Sequence, residues 1–241
     1  MTVATYGFDN ENYKTMKGEI RMDYAKNKKY FQPVNLKLGI IVCIIGLILF
    51  AATPIAGIVG LAIGAFLIYL QVGGRPSDAD IDAAVTSQLS NMKARALKKL
   101  GLDEDEVSEI APISFDGYVY NKSASIKKGK DDKYRSNKYQ AVMFFFSSNE
   151  VHCYTYDFSI TESSQKESTD VYFYKDIVSV STQTDGSEYS VGKGKSSQFD
   201  YEYFKLTTTG GTSISCAVRN IDDAQRSING MRTLIKSKKM A

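Results

Sequence analysis

Tryptophan is absent from the 241 residues, histidine occurs once, cysteine three times and proline four times. Each shortage closes a class of chemistry. The single histidine, His152, rules out multi-histidine metal sites and leaves any Cys-His pair dependent on its neighbour Cys153. Adjacent strand residues point to opposite faces, so these two do not serve each other as base and nucleophile, and His152 reads as a packed or half-exposed strand residue. Cys43, Cys153 and Cys216 are odd in number and lack paired spacing, and Cys43 lies in an apolar run, which fits a reducing compartment. Net charge is also scarce. Thirty Lys and Arg against 27 Asp and Glu leave +3, too little for a nucleic-acid binder, so any electrostatic partner has to be sought locally. Gly194-Lys195-Ser196 has the ending of a phosphate-binding loop, but Tyr189 stands where that motif requires glycine. The acidic pairs Asp131-Asp132 and Asp222-Asp223 and the run from Asp103 to Glu106 read as helix ends or solvated loops rather than metal ligands. No catalytic residue, metal or cofactor is expected.

Two long apolar runs are present, and they dominate the first third of the chain. Residues Leu36 to Ala52 and Ile55 to Val72 are separated only by Thr53-Pro54. At 1.5 Å per residue each run reaches roughly 25 to 27 Å, slightly less than a ~30 Å hydrocarbon core, whereas one continuous helix would overshoot it. Proline supplies the break. The spacing therefore predicts a transmembrane helical hairpin over residues 36–72. Gly57, Gly60 and Gly64, with Ala56 and Ala65, either form a small-residue face for the first helix or reflect the usual glycine content of membrane helices. Lys26, Lys28, Lys29 and Lys37 precede the first run, Arg75 follows the second, and the turn carries no charge. By the positive-inside rule both termini are cytoplasmic, in an inner or plasma membrane. The polar residues ahead of the hairpin mean that the apolar runs are read as retained anchors rather than a leader. Within that segment, residues 1–35, Tyr13, Met16, Ile20 and Tyr24 recur at helical spacing, as an amphipathic helix on the inner leaflet or on the soluble domain.

Residues 73–112 read as linker helices. Ser77 or Asp78 caps one whose stripe is Ile81, Val85, Leu89, Met92, Ala96 and Leu100, closed by Gly101. The stripe packs either on the following domain or on a second copy of itself. Asp103 with Glu106 has the capping pattern of a further short helix, which Pro112 ends.

From Ile113 the period changes to that of strands rich in Tyr, Phe, Val, Ile and Thr. Runs over 113–121, 138–147, 150–159, 170–184, 199–208 and 212–219 are joined by tight turns at Ser148-Asn149 and Gly210-Gly211, with Asp176 dividing the fourth. Residues 161–169 and 185–198 read as polar loops. An antiparallel meander follows from such short connections. Asn220 then caps a helix with Ile221, Ala224, Ile228, Met231 and Ile235 on one face.

The expected class is thus α+β: hairpin, linker helices, and over residues 113–241 an antiparallel β-barrel of about seven strands capped by a C-terminal helix. Three segments, QAVMFFFSSNEVHCYTYDF, DVYFYKDIVSVST and SCAVRNIDDAQRSINGMRTLI, resemble those of bacterial pleckstrin-homology-like (PH or GRAM-like) domains. That resemblance implies a binding module whose ligand is a protein or an anionic lipid. The residues between the first two strands hold seven cations against Asp131 and Asp132, a local +5 (7 − 2) between Lys122 and Lys138. In lipid-binding members the corresponding loop grips a headgroup, often with a basic-x-Arg ending similar to Lys133-Tyr134-Arg135. The resemblance therefore points to Lys127, Lys128, Lys130, Lys133 and Arg135 as lipid-binding residues, with a solvated lysine-rich loop as the plain alternative.

Overall fold

The structure is a computed structural model and describes residues 22–192 and 194–240. Of the amphipathic segment expected ahead of the hairpin, Tyr13, Met16 and Ile20 lie outside the described residues.

Helix α1 (Tyr24–Phe31) is capped by Asp23, whose carboxylate accepts from the Lys26 amide. Helices α2 (Lys37–Ala52) and α3 (Pro54–Val72) follow, with Pro54 in the first turn of α3, where its missing N–H costs nothing. They form an antiparallel pair. Its only buried residues are Gly39, Gly46, Gly57 and Gly64, which line the contact between the helices. A Cβ on Gly46 would lie 2.7 Å from the Leu61 nitrogen, and one on Gly64 2.8 Å from the Cys43 nitrogen. Glycine is what lets the backbones approach this closely. Most of the large side chains point outward, among them Ile40, Ile44, Ile48, Ile58 and Phe66, while Ile68 lies over Gly39. The expected pair of spans is met only in part: α3, with 19 residues, is long and apolar enough to cross a membrane, whereas α2, with 16, falls short of that length.

The expected single linker helix is two. Ser77 and Asp80 form a capping box at the start of α4 (Asp78–Leu89), and the chain breaks at Ser90-Asn91 before α5 (Met92–Leu100), which ends on the left-handed Gly101. Asp103 and Glu106 box a short 3-10 turn, Glu104–Val107.

Nine strands follow, in three antiparallel sheets. β1 (Ile113–Tyr118), β4 (Lys138–Phe146), β5 (Glu150–Ser159) and β6 (Gln165–Phe173) are ordered β1-β4-β5-β6; β2 (Ile126–Lys128) pairs β3 (Tyr134–Ser136); β7 (Ile177–Gly192), β8 (Lys195–Thr208) and β9 (Ser213–Ala217) form the third sheet. Helix α6 (Ile221–Met240) buries Ala224, Ile228, Met231 and Ile235, the face expected from the sequence.

Alternation along β4 explains why its sequence is apolar on both faces. Val142 and Phe144 join Phe115, Phe204, Leu206, Ile228 and Met231 in one core between the two larger sheets and α6. Tyr139, Ala141 and Phe145 face the other way, into a second core with Ile81, Val85, Met92, Ala96 and Tyr30. The linker stripe thus packs on the β domain, and α1 packs beside it.

The barrel does not close. Phe204 stacks on Phe115 with centroids 4.1 Å apart, so the sheets meet as layers rather than edge to edge. Where β1 and β9 come together the Arg219 amide donates to Asp116 O, but no ladder joins them. The two expected loops are also strands. Residues 161–169 contain the start of β6, and 185–198 form the outer half of a β7–β8 arm that runs past the end of β9. One face of the arm, with Tyr189, Phe199 and Tyr201, is covered only by rings from other segments and the rest is exposed, so its sequence reads as polar loop.

Candidate functional site

The basic segment is not a loop but the β2–β3 ribbon, and it is held from both sides. On one side the Tyr134 ring stacks on Phe199 at 3.8 Å and meets Tyr189 edge-on at 5.1 Å, which ties the ribbon to the arm. On the other side it meets the foot of the helical pair. The Lys127 ammonium donates to Tyr30 O at 3.1 Å and lies 3.7 Å from the centroid of that ring. The Lys130 amide donates to Asp78 Oδ2 at 2.7 Å, and Asp78 Oδ1 accepts from the Tyr30 hydroxyl at 2.6 Å.

Arg75 completes this junction. Its Nε donates to Gln71 O, Nη1 to Lys29 O and Gln32 O, each at 2.7 Å, and Nη2 to Pro33 O at 3.3 Å. A helix leaves its last carbonyls without intrahelical partners, and here two cations, Arg75 and Lys127, satisfy those at the end of α1. One guanidinium thereby clasps the segment entering α2 to the segment leaving α3.

The five residues expected to bind lipid separate into three groups. Arg135 turns inward and is 2% exposed. Its Nε and Nη2 donate to the two oxygens of Asp82 at 2.9 and 2.6 Å, and Nη1 and Nη2 to those of Asp131 at 2.8 and 2.7 Å. Tyr118 adds a hydroxyl donor to Asp82 at 2.7 Å. The hydrogen bonds Arg135 donates to Asp131 and then to Asp82 hold it firmly protonated, and Arg135 holds the Asp131 carboxyl well below the usual carboxylate range. For Asp82 burial pushes upward, but the bonds from Arg135 and Tyr118 more than reverse it. Arg135 is thus a structural rivet between α4 and the ribbon. Lys128 is paired with Asp132 at 2.8 Å, and Lys127 is half-buried on Tyr30. Burial lowers the Lys127 pKa, Asp78 opposes this, and Arg75 and Lys130 add to the lowering, so three cations share this foot with one carboxylate. Of the five, only Lys130 and Lys133 keep exposed side chains with no ion pair among the described residues.

Sequence reasoning assigned Arg75 to topology and Asp78 to a helix cap, gave neither of them nor Tyr30 a role at the ribbon, and passed over Asp82. Asp78 and Asp82 did carry a signal: four residues apart after a Ser77 cap, they put two carboxylates on one helical face.

Elsewhere, chemistry is suppressed. His152 is buried, with Nε2 3.8 Å from Glu150. Burial pushes the Cys153 thiol far up, and the same cause raises Cys216, so neither is a ready nucleophile. A cavity of about 210 Å³ at the β1–β9 seam is walled by Tyr120, Phe199 and Tyr201 and by Lys133, Arg135 and Arg219, of which Arg135 is spent on Asp82 and Asp131 and Arg219 pairs with Asp116 at 3.3 Å. No group of acidic, histidine and cysteine side chains among the described residues is arranged to hold a metal. No protein-family model matches the chain, and none of the curated proteins matches it.

Proposed function

We propose that the chain is a membrane-anchored, non-enzymatic PH-like module that binds an anionic lipid surface, or a protein partner, at the cytoplasmic face. The α2–α3 pair is the transmembrane hairpin of this reading, with both termini inside. What supports the anchor is its inverted burial, with glycine inside and isoleucine, leucine and phenylalanine outside, a pattern that water penalises and lipid does not. At about 24 Å, α2 matches a bilayer by local thinning or by the reach of flanking Lys37. The PH-like reading rests on strand order: a four-stranded meander interrupted only by the β2–β3 ribbon, a three-stranded meander, and one closing helix.

The observation that carries the lipid reading is the pinning of the basic ribbon to the foot of the hairpin through Tyr30, Asp78 and Lys127. It holds the ribbon, whose turn carries the exposed Lys130 and Lys133, against the end of α1, which carries the exposed Lys28 and Lys29, and against the start of α4. A protein ligand added as a strand finds the start of β7 closed, since Arg232 Nε donates to Val180 O and Lys239 to Ile177 O.

The full chain in nanodiscs tests this. Acylation of Lys130 and Lys133, followed by mass spectrometry, should be slower in anionic than in neutral discs and should recover at 1 M salt, where the screening length is about 3 Å. Equal rates in both discs at low salt would leave a protein as the partner. The alternative, a structural subunit of a larger membrane complex, needs a helical face to offer. Here the glycine face is already spent on the α2–α3 contact. Stoichiometric membrane partners after mild detergent extraction would favour that alternative.

A further inference from the structure

We infer that the cations around the hairpin foot read the surface charge density of an anionic bilayer and do not select among headgroups. This rests on the lipid reading above and narrows its ligand class. Selecting one headgroup takes several cationic donors that converge on a single phosphate in fixed geometry, with their hydrogen bonds still to give. The ribbon offers the reverse.

Arg135 is the one side chain of the five whose planar fork suits bidentate phosphate recognition, and both of its edges are taken by Asp82 and Asp131. Swinging it outward would strip the Asp82 and Asp131 carboxylates of their guanidinium partner. Lys128 answers to Asp132, and Lys127 has one proton on Tyr30 O and its charge over the Tyr30 ring. Arg75 has donated to four carbonyls. Every cation held in fixed geometry is thus already engaged.

The unengaged cations are lysines, and they are dispersed. Lys28 and Lys29 lie in the last turn of α1, Lys37 opens α2, and Lys130 and Lys133 stand on the turn of the ribbon. All five are exposed, and among the described residues none is in an ion pair. They come from three separate segments that leave the protein around the hairpin, on long flexible stems. Such lysines act as point charges on whatever anionic surface they meet, each worth about a fivefold gain in association.

The test uses the full chain in nanodiscs of neutral lipid and of three anionic kinds: phosphatidylglycerol, phosphatidylserine and a phosphoinositide, adjusted to equal surface charge. Acylation rates of Lys28, Lys29, Lys37, Lys130 and Lys133 are the readout, with and without soluble inositol hexakisphosphate in neutral discs. The expected result is equal slowing in all anionic discs and none from the soluble compound. If one headgroup protects these lysines more than about fivefold better than another at matched charge, or if the soluble compound protects them, the inference is overturned while the lipid reading survives. If no anionic disc slows them relative to neutral discs, the lipid reading itself falls.

Discussion

Replacing Arg135 by Gln separates the structural cations from the exposed ones. The guanidinium makes four hydrogen bonds to Asp82 and Asp131, and its loss leaves those two carboxylates facing each other across α4 and the ribbon. Removing one partner of a fully buried ion pair costs about 3–5 kcal/mol. Here the two carboxylate side chains are 36% and 39% exposed, so water recovers part of that loss. Discounting for this screening leaves about 2 kcal/mol, or roughly 4–8 °C in Tm for a chain of this size. Chemical denaturation of the purified full chain, followed by tyrosine fluorescence, measures it. Lys130→Gln with Lys133→Gln, in contrast, should leave the midpoint within about 0.5 kcal/mol of the parent. A double-mutant cycle with Asp82→Asn should show strong coupling to Arg135. If Arg135→Gln is as stable as the parent, or if the cycle is additive, the rivet is misassigned and Arg135 returns to the surface set.

Ile228 is fully buried on the face that α6 turns to the sheets, so Ile228→Asp should cost about 4 kcal/mol or more and abolish the cooperative transition. Gly64→Leu should force α2 and α3 apart, read as a longer spin-label distance between positions 38 and 69, while the soluble part keeps its melting behaviour. Stability should also respond to acid. Asp82 and Asp131 are depressed in the folded state, so their stabilisation is complete above the unfolded value near 3.9 and is lost as pH falls through that value toward the folded ones. Below about pH 4 the parent should therefore lose stability more steeply than Arg135→Gln. Finally, a chain beginning at Ser77 should be less stable, by about 3 kcal/mol, than one in which residues 36–72 are replaced by a short flexible linker, because only the second keeps Tyr30 and Asn27 on the sheet.

Patterns of one period were legible in the sequence, and contacts between distant segments were not. The face of α6, the glycine approach in the helical pair and the tight turn before Glu150 all follow from spacing within one segment. The β7–β8 arm was lost because beyond β9 its few covered side chains, Tyr189, Phe199 and Tyr201, are set among Ser, Gly and Lys and meet rings of distant segments. The layering of the sheets was lost because nothing local distinguishes Phe115 stacking on Phe204 from a barrel edge. The basic segment shows the same limit. Its charge was countable, but the inward turn of Arg135 depends on Asp82, which lies 53 residues earlier on another element. A lysine-rich stretch in sequence says how much charge exists and not which of it is already neutralised.

The order of elements bears on how an anchor could orient the domain. Helix α1 precedes the hairpin and α4 follows it, yet both bury side chains in the same core: Asn27 donates to Ile160 O, Tyr30 is 1% exposed, and Ile81 and Val85 are fully buried. The hairpin is therefore an excursion out of a folded body, held at both legs, rather than a tail joined by a flexible tether. Arg75 bonds across those legs, and Tyr30 with Asp78 bridges α1 to α4. A single-leg tether leaves a domain free to tumble over the bilayer, and any weak basic patch would then be averaged over many orientations. Two clamped legs remove that freedom. On the lipid reading proposed above, the same lysines would then meet the surface in every molecule, and dispersed charges of about 1 kcal/mol each would sum to a defined orientation.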